Sequence, residues 1–65
     1  DQITIVANEI IDEIILMDMV GKTVLKQYPN NHTTVLDINQ LPKNIYLLKC
    51  KINNTYKTEK IIISE

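Results

Sequence analysis

Phenylalanine and tryptophan are absent from this 65-residue chain, glycine and cysteine occur once each, and proline occurs twice. A single glycine excludes the Gly-rich loops that cradle phosphates. A single cysteine excludes an internal disulfide, and the one histidine, His32, has no second His or nearby carboxylate at metal-ligand spacing. A chain this short buries only about 60% of its unfolded surface, so it must hold together without a covalent or metal staple. Charge of one sign is missing too: seven Lys and Arg stand against eight Asp and Glu, for a net charge of −1. That balance supplies no electrostatic footprint for nucleic acid or an anionic membrane. The longest apolar runs, such as Ile14 to Met17 and Ile61 to Ile63, fall far short of the ~20 residues of a membrane span. No signal peptide is present and the first residue is not Met, so a piece excised from a longer chain is expected.

What the sequence has is isoleucine in abundance, 45% hydrophobic residues and period-2 alternation. The clearest stretch is Leu41 to Ile52. Pro42 and Asn44 signal a turn, after which Tyr46, Leu48, Cys50 and Ile52 share one parity while Leu47, Lys49 and Lys51 share the other. This predicts a strand with one row on a core and the other in water. Asn53 and Asn54, which tolerate positive φ, then connect to a second β-rich run from Tyr56 to Ser64, completing a hairpin.

Upstream, Gln2 to Val6 predicts a strand with Ile3 and Ile5 on one face, broken by Ala7, Asn8 and Glu9. Ile10 to Val20 admits two readings. A helix is compatible with Asn8 as cap, with Ile10, Ile11, Ile14 and Ile15 at helical spacing, and with Gly21 as terminator. A strand is favoured by four β-branched isoleucines, with Ile14 and Leu16 on one face and a turn at Asp18 to Gly21 in which Gly21 takes positive φ. The strand is preferred. Lys22 to Tyr28 continues as a strand with Val24 inward, Pro29 to Asn31 stop it, and His32 to Ile38 places Thr34, Leu36 and Ile38 on one face. Roughly six short strands joined by turns point to an antiparallel β-sandwich.

No residue group points to catalysis. Asp12 and Glu13 are adjacent, so in a strand they face opposite ways and cannot act as a carboxylate pair. Ser-His-Asp and Cys-His arrangements with supporting motif residues are absent, so catalytic, cofactor-binding and metal-binding residues are all expected to be none, and cofactors likewise. His32 reads as a solvent-facing loop residue and Cys50 as a small hydrophobe in the core. Asn31-His32-Thr33 and Asn53-Asn54-Thr55 match the N-glycosylation pattern but mainly mark surface turns. Lys49, Lys51, Lys57 and Lys60 read first as a solvated face that blunts edge pairing, and second as a recognition surface.

In order, the motifs are Ile3-Thr4-Ile5; Ile14 to Met17 running into Asp18-Met19-Val20-Gly21-Lys22; Val24; Leu36 to Leu41; Ile45-Tyr46-Leu47-Leu48; and Lys60-Ile61-Ile62-Ile63. Together they resemble the C-terminal sorting domain (type A) of the type IX, or Por, secretion system. The family has glycine before its Ile-Tyr pair where this chain has Asn44, a residue type that accepts positive φ. The family's leading Tyr-Pro-Asn-Pro segment is not found before Asp1: either the sequence begins after it, or an N-terminal edge strand is lacking and a sheet edge is exposed.

The resemblance implies an all-β fold, a small antiparallel immunoglobulin-like β-sandwich of about six to seven strands. It implies one sorting domain over 1–65, lacking its first N-terminal strand and excised from a larger secreted protein. Its role is a C-terminal secretion signal of Gram-negative bacteria, not an enzyme. Its partners are the outer-membrane translocon, a sortase that removes it, and an upstream cargo domain in the same chain, with no nucleic acid and no small-molecule substrate. It passes through the periplasm and ends at the cell surface or secreted. Translocon recognition falls by resemblance on Asp18, Gly21, Leu41, Asn44, Tyr46, Lys60, Ile61, Ile62 and Ile63. The rival reading is an accessory β-sandwich that binds carbohydrate or serves adhesion. It is disfavoured because sugar platforms use exposed aromatics and here only Tyr28, Tyr46 and Tyr56 are available. A cap or linker stabilising a larger neighbour is a third.

Overall fold

The structure, a computed structural model, describes residues 2–64. Asp1 and Glu65, the two ends of the domain expected over 1–65, lie outside the described residues. Six strands follow one another: β1 (Gln2–Ile11), β2 (Glu13–Asp18), β3 (Thr23–Gln27), β4 (Asn31–Asp37), β5 (Asn44–Ile52) and β6 (Thr55–Ile63). They form a two-stranded sheet, β1-β4, stacked on a four-stranded sheet in the order β3-β2-β5-β6, with every pair antiparallel. The fold is all-β, as expected, and consistent with a small immunoglobulin-like sandwich.

The ambiguous stretch from Ile10 to Val20 is extended, not helical. Ile11 ends β1 in one sheet and Ile14 opens the inner face of β2 in the other, with only Asp12 between the strands. The chain changes sheets there, and the Asp12 amide donates to Lys51 O on β5 (2.9 Å) to fix the corner. Both isoleucines are fully buried, so adjacent strands feed one core from opposite sides. A helix could not place Ile14 and Leu16, two residues apart, in the same buried row.

Alternation fills the core. Ile14 and Leu16 of β2, Tyr46 and Leu48 of β5, Leu36 of β4 and Ile11 of β1 form one buried cluster. Ile3, Ile5, Val24, Cys50 and Ile61 pack around it. No polar or charged side chain is buried among the described residues, so the interior carries no unpaired hydrogen-bonding group. Cross-strand pairing makes the layer continuous: Ile14 lies beside Cys50, Leu16 beside Leu48, and Tyr46 beside Ile61.

The turns obey their residue chemistry. Asn53 (φ 51°) and Asn54 (φ 61°) form the two-residue loop between paired Ile52 and Thr55. Two successive left-handed residues give the turn whose twist matches its flanking strands. Asn30 (φ 51°) follows Pro29 in the crossing from β3 to β4. Gly21 (φ 92°) closes the β2–β3 turn, and the β2–β3 register shifts between Leu16 and Met17, as a bulged hairpin requires.

Three expectations are corrected. Ala7, Asn8 and Glu9 do not end the first strand. It continues to Ile11 with its pairing to β4 interrupted between Val6 and Ile11. Burial of Ile11 and a bond from Asn30 N to Ile11 O (2.9 Å) hold the far end, while Asn53 Nδ2 donates to Glu9 Oε2 across the interruption. Leu47, Lys49 and Lys51 are half-buried and not in open water, because β5 is an inner strand flanked by β2 and β6. Ile38 shares the face of Thr34 and Leu36 but lies just past β4, half-buried in the connection to β5.

With a core this small, each member matters. Leu16→Ala is expected to lower the unfolding free energy by about 2–5 kcal/mol. Val20→Ala, at a position 91% exposed, is expected to stay within about 0.5 kcal/mol of the parent. Urea titrations followed by circular dichroism check both.

Candidate docking surface

The residues assigned to recognition from the sequence converge on one end of the four-stranded sheet. β2 ends there at Asp18, while β5 begins and β6 finishes there. The registers place Asp18 opposite Tyr46, Tyr46 opposite Ile61, Ile45 opposite Ile62, and Asn44 opposite Ile63. Asp18 and Ile61, more than 40 residues apart in sequence, thus share one row, with the pair Ile45 and Ile62 and the pair Asn44 and Ile63 in the two rows beyond it.

Asp18 organises the turn at this end. Its Oδ1 accepts from the amides of Val20 (3.0 Å) and Lys22 (2.9 Å), its own amide donates to Lys22 O (2.9 Å), and Gly21 N donates to Asp18 O (3.1 Å). A carboxylate holding two amides is a charge-assisted clamp, and Gly21 supplies the left-handed residue that closes it. The clamp projects Met19 (59% exposed) and Val20 (91%) into solvent.

Tyr46 fixes the neighbouring corner. Its ring is 2% exposed and its hydroxyl donates to Pro42 O (2.6 Å), four residues back. This satisfies the one polar atom of a core side chain and ties the β4–β5 connection down, like the tyrosine corner of immunoglobulin-type sandwiches. Leu41 packs half-buried against the core, and its amide donates to Ile38 O (3.1 Å). Asn44 departs from expectation. The non-glycine residues with positive φ among those described are Asn30, Asn53 and Asn54, and Asn44 is not one of them. It opens β5 paired with Ile63, and its Oδ1 accepts from Ile45 N (2.8 Å). A residue already in a ladder has no need of the left-handed region.

On β6, parity divides the C-terminal run. Ile61 and Ile63 face inward and pack against the core, whereas Lys60 is exposed and Ile62 is 65% exposed. Met19, Val20 and Ile62 are thus three exposed apolar side chains at this end. Met19 and Val20 escaped the sequence reading because they lie between the motif residues Asp18 and Gly21. Two neighbouring apolar side chains in a tight hairpin turn were the available signal.

The opposite end of the outer face is polar. Tyr56 Oη donates to Glu13 Oε1 (2.7 Å), and Lys26 Nζ lies 3.5 Å from Glu13 Oε2 and 5.7 Å from the Tyr28 ring centre. The Tyr56 hydrogen bond, aided by Lys26, holds the Glu13 carboxyl below the usual carboxylate range against the opposing effect of burial. The same bond raises Tyr56, while Tyr28 first and Glu13 second raise Lys26.

On the inner face, β1 and the β5–β6 hairpin bound a cleft of about 670 Å³, with Ile11, Leu48, Cys50 and Ile52 among its apolar lining and Lys57 and Glu59 at its exposed side. Burial, then Glu59, pushes the Cys50 thiol up, away from the reactive thiolate. His32 lies exposed in β4, a strand and not a loop edge.

A family model described as a secretion system C-terminal sorting domain matches residues 1–64. No curated protein and no solved structure matches the chain.

Loss of the Asp18 clamp in Asp18→Ala is expected to destabilise the domain by about 1–3 kcal/mol, visible as a lower thermal midpoint. The polar end carries a pH signature. Because Glu13 titrates below its unfolded value, its contribution to stability is complete above the ordinary carboxylate range and is lost as pH falls through the depressed value. Tyr56→Phe removes the largest cause of that depression. The variant is expected to show a shallower fall in thermal midpoint between pH about 6 and about 3 than the parent.

Proposed function

The chain belongs to the family of secretion system C-terminal sorting domains, and from that premise we propose that the Asp18–Lys22 turn, the Leu41–Leu48 segment and the Lys60–Ile63 strand form the face the export machinery reads. The domain is the C-terminal sorting signal for type IX secretion. Such a signal works with that secretion machinery and directs its cargo across the outer membrane, to the cell surface or outside the cell. The match over residues 1–64 is the observation that carries the function.

In the finer reading, the domain folds in the periplasm, acts as a signal and not as a catalyst, is bound there by the outer-membrane translocon, and is then cut from its cargo by a sortase. Docking uses edge pairing along β6 or the exposed apolar residues at the Asp18 end. Convergence of the Asp18 turn, the start of β5 and the end of β6 at one end of the sheet supports this, because the exposed Met19, Val20 and Ile62 lie there on a framework held by the inward-facing Tyr46, Ile61 and Ile63.

Fusing the 65 residues to a periplasmic reporter in a secretion-competent host tests the face. Deleting Lys60–Glu65 is expected to abolish export. Ile62→Lys, which charges a side chain already 65% exposed and so spares the core, is expected to reduce export severalfold with an unchanged thermal midpoint. Full export of both variants would remove recognition from β6.

A further inference from the structure

The free edge of β6 is complementary to itself, and we infer that two copies of this domain associate by antiparallel pairing of their β6 strands, joining two four-stranded sheets into one. β6 is the outermost strand of its sheet, and every residue from Thr55 to Lys60 is exposed. The register decides which backbone groups are available. In a two-residue hairpin the residues flanking the loop, Ile52 and Thr55, are mutually hydrogen-bonded, and the pattern alternates from there. Odd-numbered residues of β6 therefore aim their amides and carbonyls at β5. The Asp12 N to Lys51 O bond (2.9 Å), directed toward β2, agrees with this phase. Tyr56, Thr58, Lys60 and Ile62 present theirs to open solvent.

Charge then selects a single alignment. A twofold axis perpendicular to a continuous sheet preserves the face on which each side chain lies, so a symmetric pairing centres on one residue opposite its own copy. Centring on Lys57, Glu59 or Lys60 sets like charges directly opposite each other, which is unfavourable. Centring on Tyr56 or Ile61 engages a shorter part of the strand. Centring on Thr58 places Thr58 opposite Thr58 on the axis, with Lys57 opposite Glu59 of the second copy and Tyr56 opposite Lys60 of the second copy, these last two pairs each occurring twice by symmetry.

The details of this register are mutually consistent. Thr58 and the Tyr56–Lys60 pairs bring together the free backbone groups. Lys57 and Glu59 fall at the closely spaced positions between them, where facing side chains approach best. Both lie on the inner face, beside Cys50 and Leu48 at the cleft, and neither forms an ion pair with another described residue. Tyr56 and Lys60 lie on the outer face, where Lys51 already sits 5.9 Å from the Tyr56 ring centre. Charged residues on an edge usually discourage pairing. The order Lys-Thr-Glu reverses that effect for one partner, a second copy running antiparallel. Self-pairing and strand addition by the export machinery require the same amides, so one excludes the other.

Sedimentation equilibrium over a wide concentration range, at low salt, tests the association by mass alone and does not depend on the export reading. The mass is expected to rise from that of a 7.5 kDa monomer toward twice that value. Lys57→Glu and Glu59→Lys, each placing like charges opposite, are each expected to weaken dimerisation about tenfold or more, and the double exchange to restore it. Amide exchange is expected to slow at Tyr56, Thr58 and Lys60 as concentration rises. A parent chain that stays monomeric throughout overturns the inference. So do single reversals without effect, a double exchange that fails to rescue, or association that leaves those amides unprotected.

Discussion

Two sheets of unequal size share one thin layer of aliphatic side chains, and the rest of the molecule depends on that layer. Ile14, Leu16, Tyr46 and Leu48 come from the larger sheet, and Ile11 and Leu36 meet them from the smaller one. At about 1.5–3 kcal/mol for each fully buried large apolar side chain, the contact stabilises the fold only because no polar group is buried to offset it. Alternation is thus a strict requirement. A slip of one residue in β2 or β5 would turn the core row outward and put Glu13 or Lys49 in its place.

The mismatch between a two-stranded and a four-stranded sheet gives the surface its character. The smaller sheet covers Ile14 to Leu48 but leaves the inner side of β6 open at Lys57 and Glu59, which is why these two remain exposed beside an apolar cleft while Ile61 and Ile63 further along pack against the core. On the outer side, apolar exposure gathers at the Asp18 end, while the Glu13, Lys26 and Tyr56 network occupies the other. A sorting signal needs no reaction centre. It needs a fold that stays intact until its partner is met, and a surface that partner can find. The Asp18 clamp and the Tyr46 to Pro42 bond serve the first need, and they lie at the same end of the sheet where Met19, Val20 and Ile62 are exposed.

Much of this was legible in the residues because local chemistry and tertiary demand agree. Tyr46, Leu48, Cys50 and Ile52 alternate in the sequence and line the inner face in the structure. Asn53-Asn54 reads as a hairpin loop and is one, and Gly21 reads as a bulged turn and takes φ 92°. Where agreement failed, a distant contact had intervened. Ala7 to Glu9 carry breaker signals, yet the strand runs through them because Ile11 is captured by the core and Asn53 reaches Glu9 from the other end of the chain. Asn44 suits positive φ, yet its pairing with Ile63 holds it in the ladder.

By itself the sequence determined the strand class, the turns and the inward rows, since these follow from side-chain period and backbone preference over a few residues. It also carried the ordered motifs by which the family is recognised. Only the tertiary structure decided which strands are neighbours, and with them the meeting of Asp18, Tyr46 and Ile61, the open edge of β6 and the cleft beneath it. Pairing partners are set by which apolar faces can be buried together, and that choice is made between segments far apart in the chain, where no local pattern records it.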